Sequence, residues 1–553
     1  MPRSSSSYHR GLRRRPANHA PLTPLSFLRR AAEVFPNDTA VSYGDRKETW
    51  AEHAATCRRM ASAFARAGLE RGDVVALLMP NTPAMLAAHF AVPMAGGVLN
   101  TINTRLDVDT VAYILEHSGA RFLVADAELL VLARKALARL GARAPRLVVD
   151  ADAGFLPPLG EESLDDFVAH GDPDAEWDMP PDEWTPIAVN YTSGTTARPK
   201  GVVYSHRGAY LAAVSVLVSW GVPKRASFLW TVPLFHCNGW CMAWLLALQG
   251  GRSVCLRRVD AEKVVESIRA ERVTHYAGAP VVHQLIREAA EARGLRFEPP
   301  LQALIGGAPP PAPLIEGMDR IGVRLTHAYG LTETYGVAAI CEPRPEWNVL
   351  DLASRAGAHA RQGVRGALQE DMAVVDAQTL RPVPRDGRTV GEIVFRGNQT
   401  MMGYLGDPNA TDRAFAGGVF RTGDLAVVDE DGYVRVKDRS KDIIITGGEN
   451  VSSVEVEEAL YRHPAVAAAA VVAMAHPRWG ETPVAFVELH GGRTATEESL
   501  LAHCREHLAG FKRPRRVLVH ALPRTATGKI RKNVLREAVR AGDIESLPVA
   551  EAS

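Results

Sequence analysis

From about residue 40 onward, short apolar runs alternate with longer segments of helical periodicity. Residues 74–79 predict a strand, residues 84–94 a helix and residues 122–124 another strand. This alternation is typical of a layered α/β fold with parallel strands. The same pattern predicts further strands at residues 147–149, 187–189, 273–276, 303–305 and 325–329. Several of these runs lead directly into polar turns, and ligands of such sheets bind beyond the carboxyl ends of the strands.

The pattern changes after about residue 370, where predicted strands at 391–396 and 432–436 are punctuated by Gly-Asp and Asp-Gly turns. These segments predict a β-rich cap on a large domain. Beyond Lys441, a strand at 443–445, a helix at 453–461, strands up to residue 489 and a final basic helix predict a small domain. A chain of 553 residues exceeds the size of a single hydrophobic core.

We therefore expect an α/β protein with three parts. The first is a basic, disordered tail at residues 1–21. The second is a large N-terminal domain at 22–440, made of layered α/β subdomains with the β-rich cap. The third is a small α+β C-terminal domain at 441–553.

Charge and cysteine content narrow the possible partners. Lys and Arg number 64 against 63 Asp and Glu, so no global field attracts nucleic acid or an anionic membrane. The six cysteines lack the spacing of metal ligands and are typical of reduced thiols. The longest strictly apolar run, residues 465–475, is too short to span a membrane. We expect a cytoplasmic protein with no integral membrane segment and no nucleic-acid partner.

The amino-terminal segment has a distinct composition. Residues 1–32 contain seven arginines and four consecutive serines but no acidic residue. This composition resembles that of an organelle transit peptide, and a disordered basic tail explains it equally well. Both alternatives stay open at this point.

A short polar segment after the predicted strand at 187–189 suits the binding of phosphate. Residues 191–201 contain the hydroxyls of Thr192, Ser193, Thr195 and Thr196, the glycines Gly194 and Gly201, and Lys200. Glycine lets backbone N–H groups approach an anion, hydroxyls donate further hydrogen bonds, and lysine adds a compact positive charge. The spacing is not that of a Walker loop. Two other turns, at residues 306–309 and 330–334, also follow predicted strands, so the three can converge on one site.

Further motifs follow in order along the chain: Tyr329 to Thr334, Tyr404, Arg421 to Asp424, and Pro523 to Lys532. Together with residues 191–201 they resemble the adenylate-forming superfamily. This superfamily includes acyl-CoA synthetases, 4-coumarate–CoA ligases, firefly luciferase and the adenylation domains of peptide synthetases. The resemblance covers residues 22–540, and it implies a small domain that is mobile.

The resemblance implies a complete nucleotide site. It assigns the β- and γ-phosphates of ATP to a loop comprising Thr192, Ser193, Gly194, Thr195, Thr196 and Lys200. It assigns the adenine slot to Gly307, Ala308, Pro309, Tyr329 and Gly330. Asp424 and Arg439 would hold the ribose, Thr332 would bond the α-phosphate, and Glu333 with Thr196 would hold Mg²⁺, which prefers carboxylate and phosphate oxygens.

The resemblance also implies the catalytic and acid-binding groups. Lys529 would bridge the substrate carboxylate and the α-phosphate, and His236 would act as an aromatic gate between two half-reactions. The implied acyl pocket comprises His236, Asn238, Gly239, Trp240 and Leu331. Lys441 would be the hinge of the small domain, and Gly447 and Gly448 would face the CoA tunnel.

Three positions bear on the choice of acid or on the rate. Leu331 stands where acetate-specific relatives carry tryptophan, which implies a pocket for acids larger than acetate. Trp240 would form the floor of a short tunnel. Ala197 stands where glycine is common in the phosphate loop. If the backbone at this position is left-handed, alanine destabilises the loop by roughly 1 to 2 kcal/mol relative to glycine.

The implied activity is that of an ATP-dependent acid–CoA ligase for a short- or medium-chain fatty acid or an aromatic acid. Its substrates and cofactors would be the carboxylic acid, ATP, Mg²⁺ and CoA, and the enzyme would be a monomer or homodimer. One alternative is a ligase that loads its adenylate onto a carrier-protein phosphopantetheine. A non-catalytic AMP-binding protein and an oxidative luciferase are the others.

Overall fold

The structure is a computed structural model that describes residues 12–152, 160–192, 198–439, 442–447, 449–525 and 528–542, with the backbone alone at residue 450. The α-helices of this part of the chain span Leu25–Val34, Trp50–Arg66, Pro83–Met94, Val108–Ser118, Leu130–Leu140, Leu164–Ala169, His206–Trp220, Met242–Gln249, Ala261–Ala270, Pro280–Ala292, Ala312–Arg320, Leu352–His359, Pro408–Ala414, Ser453–Tyr461, Glu497–His507 and Lys532–Ala541.

The strands are numbered in chain order. They are β1 (Thr39–Tyr43), β2 (Arg46–Thr49), β3 (Val74–Leu78), β4 (Val98–Thr101), β5 (Ala120–Asp126), β6 (Arg146–Asp150), β7 (Pro186–Tyr191), β8 (Gly201–Ser205), β9 (Ser227–Leu229), β10 (Arg252–Val254), β11 (His275–Gly278), β12 (Leu301–Ile305), β13 (Val323–Tyr329), β14 (Ala339–Ile340), β15 (Val364–Arg365), β16 (Asp371–Val375), β17 (Gly391–Arg396), β18 (Gly403–Tyr404), β19 (Phe420–Val428), β20 (Val434–Arg439), β21 (Ile444–Thr446), β22 (Glu449–Val451), β23 (Val466–His476), β24 (Gly480–Leu489) and β25 (Arg516–Val519).

Two large sheets form the layered α/β part of the molecule. One has the order β18-β8-β7-β4-β3-β5-β6, in which β7, β4, β3, β5 and β6 run parallel. The other has the order β15-β14-β13-β12-β11-β9-β10-β1-β2, with a parallel core from β13 to β1. The predicted α/β class is confirmed, although the strand predicted at 273–276 begins two residues later, at His275.

Local capping explains where several helices begin. The helix Trp50–Arg66 starts at Thr49, whose hydroxyl accepts a hydrogen bond from the Glu52 N–H at 3.2 Å. The Glu52 carboxylate accepts from the Thr49 N–H at 2.8 Å in return. This reciprocal capping box satisfies two backbone donors that a helix terminus leaves unpaired.

The β-rich cap and the small domain are also present. The cap is an antiparallel sheet of order β16-β17-β19-β20. In the small domain, β23 lies beside β24 and alternates its buried residues between two apolar clusters. Ala469 and Val471 face one cluster, whereas Ala470 and Val472 face the other with Leu535. Residues 468–472 of the apolar run are therefore part of a strand that is buried on both faces.

Among the helices of the described residues, none is long and apolar enough to cross a bilayer. The boundaries at residues 21 and 440 stay predictions, and residues 1–11 and 440–441 lie outside the described part of the chain.

Arg257 ties the two large sheets together. It follows β10 and makes ion pairs with Asp126 at the end of β5 and with Asp152 after β6, the latter at 3.3 Å. The Asp126 side chain is 0% exposed and that of Arg257 is 14% exposed. Burial raises the pKa of Asp126, so the carboxylate depends on its cationic partner to stay charged.

We predict that Arg257→Met destabilises the protein strongly. Removing one partner of a buried ion pair costs about 3 to 5 kcal/mol, because the other charge stays buried without compensation. The neighbouring Arg258 is 74% exposed and pairs with Glu128. Arg258→Met should therefore cost about 0 to 1 kcal/mol. Thermal unfolding followed by circular dichroism at neutral pH compares the two variants, and equal shifts would contradict the assignment.

Candidate active site

A buried carboxylate lies where the cap meets the nine-stranded sheet. Asp424 in β19 is 4% exposed, and its Oδ2 accepts a hydrogen bond from the hydroxyl of Tyr329, at the end of β13, at 2.7 Å. Arg439 of β20 is its cross-strand partner, with 3.1 Å between Nε and Oδ1. Three predicted residues from three strands thus meet at one carboxylate.

The pKa shifts at this junction have identifiable causes. Burial, followed by the Asp424 charge, raises the pKa of the Tyr329 hydroxyl well above its usual value. Burial acts to lower the pKa of Arg439, but the negative charge around it, that of Asp424 foremost and that of Asp442 and Glu333 in addition, raises that pKa overall. The tyrosine is therefore a neutral donor and the arginine a permanent cation. A carboxylate has about four lone-pair sites, so Asp424 can still accept from a ligand hydroxyl.

A short 3₁₀ turn, Thr332–Thr334, follows β13 and carries Glu333 into the same cleft. The Glu333 Oε1 accepts a hydrogen bond from the hydroxyl of Tyr404 at 2.9 Å. The Lys200 ammonium lies 4.6 Å from the centre of the Tyr404 ring, an arrangement that favours a cation. Tyr404 thus connects the end of the phosphate segment to the predicted magnesium ligand, a bridging position that the sequence motif did not reveal.

The chemistry around Glu333 fits Mg²⁺. The carboxylate is half-buried, and burial raises its pKa, so a nearby cation would favour its charged form. A search of the described residues finds no group of three or more His, Cys, Asp or Glu that could hold a metal. Mg²⁺ is commonly bound by one or two carboxylates together with substrate phosphates, and a single glutamate is consistent with that mode.

The predicted phosphate segment is the connection of a hairpin. The N–H of Thr192 donates to the carbonyl of Lys200 at 3.0 Å, and β7 and β8 are antiparallel on either side. Ser193, Gly194, Thr195, Thr196 and Ala197 lie outside the described residues, so their predicted roles stay predictions.

The two glycine-containing turns predicted beside the adenine differ in how much free space surrounds the glycine. An added Cβ on Gly330 would lie 1.7 Å from the carbonyl oxygen of Gly336, so only glycine fits there. Gly307 has a φ of +83° and nothing within 4 Å of an added Cβ. It is exposed together with Pro309, while Ala308 is half-buried. This edge of the cleft is open enough to accept a flat ligand.

The predicted acyl-pocket segment lies next to the Thr332–Thr334 turn. The thiol of Cys237 is 3.4 Å from the hydroxyl of Thr332 and 3.9 Å from Nε2 of His236. Asn238, Gly239 and Trp240 are buried directly after it, while Leu331 is half-buried at the start of the turn. The predicted acid site and the predicted magnesium turn are therefore in contact.

The small domain reaches this site through Lys529. Burial of the His236 ring is the larger cause that lowers its pKa to about 4, and the positive charge of Lys529 is the second cause. Behind Lys529, an added Cβ on Gly528 would lie 2.5 Å from Cγ1 of Val281 in the large domain.

The predicted hinge and CoA residues are only partly described. Gly447 has a φ of +60°, and its N–H donates to the carbonyl of Trp479 at 2.8 Å. An added Cβ there would lie 2.9 Å from the Trp479 ring. Lys441 and Gly448 lie outside the described residues. The roles of all three in domain rotation and CoA binding stay predictions.

Family models match most of the chain. The model described as AMP-binding enzyme matches residues 28–405. The model described as AMP-binding enzyme C-terminal domain matches residues 455–529. The first range lies within the large part of the structure and the second within the small part.

Individual proteins are similar over nearly their full lengths. A peroxisomal acetate/butyrate–CoA ligase of Arabidopsis thaliana is 46% identical over 540 residues, covering 94% of this chain and 95% of the relative. A peroxisomal trans-cinnamate:CoA ligase of Petunia hybrida is 42% identical over 541 residues, covering 95% of each. The crystal structure of an anthranilate CoA ligase in complex with anthranoyl-AMP has a TM-score of 0.83 at 25% identity, covering 95% of this chain and 98% of that one.

These relatives correct one expectation from the sequence. Charge balance, the cysteine pattern and the lack of an apolar run of membrane-spanning length lead to the expectation of a cytoplasmic protein. That expectation is wrong, since both ligases named above are peroxisomal. Charge balance and reduced cysteines do not distinguish the two compartments, which explains the error.

We predict that His236 stays neutral across the physiological pH range. Its pKa of about 4 lies below the ordinary value of 6.5, so the unfolded chain binds this proton more readily than the folded one. The stability contributed by the neutral ring is complete above pH 6.5 and is lost as the pH falls toward 4. NMR of ¹³C-labelled histidine, assigned with His236→Asn, should show no titration of this ring between about pH 5.5 and 8. A midpoint near 6.5 would contradict the prediction.

Proposed function

The chain belongs to the AMP-binding enzyme family and is an ATP-dependent acid–CoA ligase, and we propose that its substrate is a short- or medium-chain fatty acid or an aromatic acid. ATP and CoA are its co-substrates and Mg²⁺ its metal ion. One arrangement supports the residue roles: Cys237 links His236 to the Thr332 turn, and Gly528, next to Lys529 of the small domain, lies against Val281 of the large domain. A carboxylate bound there would lie between a lysine and the phosphate-binding turn.

In the first step that we propose, a carboxylate oxygen of the acid attacks the α-phosphorus of ATP in line. The bond from that phosphorus to the bridging oxygen breaks, and pyrophosphate leaves with the electron pair. Lys529 would bridge the carboxylate and the α-phosphate as charge redistributes, with the Thr332 hydroxyl on the α-phosphate. The protein acts mainly by positioning and by neutralising charge.

The remaining nucleotide contacts follow from the geometry of the junction at Asp424. Its carboxylate would accept hydrogen bonds from the ribose hydroxyls while Tyr329 and Arg439 hold it in place. Glu333 would hold Mg²⁺, which when bound neutralises charge on the phosphates. The cation of Lys200, stacked on Tyr404, would meet the outer phosphates.

In the second step the CoA sulfur attacks the acyl carbon, and the bond from that carbon to the AMP oxygen breaks. AMP leaves with the electron pair, and the thiol proton passes to solvent. We propose that the small domain turns about Lys441 between the steps and withdraws Lys529. Gly447 and Gly448 would then face the pantetheine.

The size of the acid is proposed from the acyl-pocket segment and from the relatives. Trp240 is buried, and its Cη2 would lie 3.1 Å from a Cβ added to Gly306. The indole therefore closes the pocket against the adenine turn. The relatives act on acetate and butyrate in one case and on trans-cinnamate in the other, which supports small aliphatic or aromatic acids here.

The test of this function is acid-dependent pyrophosphate release from ATP and Mg²⁺. The panel comprises acetate, butyrate, hexanoate, octanoate, palmitate, benzoate and cinnamate, each with and without CoA. We expect turnover that needs both CoA and a short, medium or aromatic acid. A burst that CoA cannot sustain would favour loading of a carrier protein, and no release with any acid would contradict the proposal. Light scattering would check our expectation of a monomer or homodimer.

We predict that Lys529→Ala separates the two half-reactions. Acid-dependent ATP–pyrophosphate exchange should fall by about 10² to 10³, the typical effect of removing one electrostatic contact in a transition state. Thioester formation from supplied acyl-adenylate and CoA should change little, because the lysine contacts the reactants only in the domain orientation of the first step.

The matched control for this variant is Arg531→Ala, which removes an exposed positive charge two residues away. It should leave both half-reactions close to wild type. Equal losses of both half-reactions in Lys529→Ala would contradict the role of the lysine. A similar loss of ATP–pyrophosphate exchange in Arg531→Ala would mean that the overall positive charge around residues 529–531, and not a specific contact of Lys529, supports the first step.

A further inference from the structure

The acyl-pocket segment contains a left-handed turn of unusual length. The φ values are 45° at Cys237, 43° at Asn238, 59° at Gly239, 54° at Trp240 and 60° at Cys241. Only glycine, and to a lesser degree asparagine, adopts this region readily, and other residues pay roughly 1 to 2 kcal/mol each. Consecutive strained residues persist only where the surrounding structure enforces them.

A pair of buried asparagines enforces the turn. Asn190, near the end of β7, donates from Nδ2 to Oδ1 of Asn238 at 2.6 Å. Its own Oδ1 accepts the backbone N–H of Asn238 at 3.1 Å. The Nδ2 of Asn238 then donates to the hydroxyl of Thr101 at 3.1 Å. Asn190 is 2% exposed and Asn238 is 0% exposed, so water does not compete for these bonds.

The same arrangement continues along the neighbouring strands. The Thr101 hydroxyl, at the end of β4, donates to the carbonyl of Phe235 at 3.0 Å. Asn81, just after β3, donates to the carbonyls of Trp230 and Val232 and accepts the N–H of Leu234 at 2.7 Å. Three polar side chains at the carboxyl ends of the adjacent strands β3, β4 and β7 therefore bind residues 230–238.

The turn positions the groups that would touch the acid. His236 precedes it, and Trp240 within it packs between two backbone turns of the nucleotide cleft. A Cβ on Gly306 would lie 3.1 Å from Cη2 of Trp240, and a Cβ on Gly336 would lie 3.4 Å from its Cα and Cδ1. A change in the backbone at Asn238 would move Trp240 directly.

We propose that Asn190 is a positioning residue for the acid: through Asn238 it holds Trp240 at the end of the acyl pocket and thereby sets which acids fit. This inference rests on the proposed function, because it assigns Trp240 to the acyl pocket. Asn190 itself does not touch the acid. Loss of the pair should loosen the pocket end while leaving the nucleotide contacts of Asp424 and Glu333 in place.

The experiment measures acid and ATP kinetics for Asn190→Ala on the full chain. The KM for the preferred acid should rise by roughly tenfold, equivalent to the loss of one or two buried hydrogen bonds. The preference over an acid two carbons longer should decrease, while the KM for ATP stays near wild type. Asn238→Gly, which keeps the left-handed backbone without strain, should give the same change of preference.

Two further comparisons separate positioning from general stability. Asn100→Ala removes an equally buried asparagine of neighbouring β4 that bonds Ser118 instead, and it should lower stability without changing acid preference. The double variant Asn190→Ala/Asn238→Gly should change acid kcat/KM by less than the product of the two single effects, because both single variants remove the bond that the two side chains share.

The outcomes are distinguishable. If the wild-type protein releases no pyrophosphate with any acid, the proposed function fails. If it is active but Asn190→Ala and Asn238→Gly, folded by circular dichroism, keep the wild-type acid preference, this inference fails alone. An equal rise in the KM for ATP would also overturn it, because Asn190 would then act on the phosphate segment that follows Tyr191.

Discussion

The contact of Asp424 with Tyr329 and Arg439 is the interaction on which the arrangement of the site depends. It joins β13 of the nine-stranded sheet to β19 and β20 of the cap. Arg439 is also the last residue of β20, immediately before the segment that leads into the small domain. A buried carboxylate is stable only with such partners, so the same ion pair that would orient a ribose also fixes the cap.

The seven-stranded sheet supplies the other half of the site with neutral groups. The acyl-pocket segment is bound by Asn81, Thr101 and Asn190. Their amides and hydroxyls satisfy its backbone donors and acceptors, so no charged side chain is needed there. A charged group buried beside the anionic substrate would attract or repel that substrate in both reaction steps. Neutral side chains fix the backbone without altering the field that acts on the reacting carboxylate.

Local signals predict part of the molecule. Short apolar runs predict the parallel strands, because both faces of such strands are buried. A short motif marks Asp424 as a candidate, and its role stays a prediction. The bridge from Tyr404 to Glu333 joins residues 71 positions apart, and no local pattern encodes it. The left-handed turn was missed because Cys237 and Trp240 have no intrinsic preference for positive φ. Tertiary contacts impose that conformation, and the local signals were limited to Gly239 and, to a lesser degree, Asn238.

The neutral state of His236 connects these two halves of the site. Burial is the larger cause of its low pKa and the charge of Lys529 the smaller, so withdrawal of the small domain would leave the ring uncharged. A neutral ring can change its position without carrying a desolvated charge, which would be expensive in a buried pocket. In the proposed mechanism, the gate at His236 would therefore move with the small domain, while the turn that follows it, held by Asn190, would keep the end of the pocket in place.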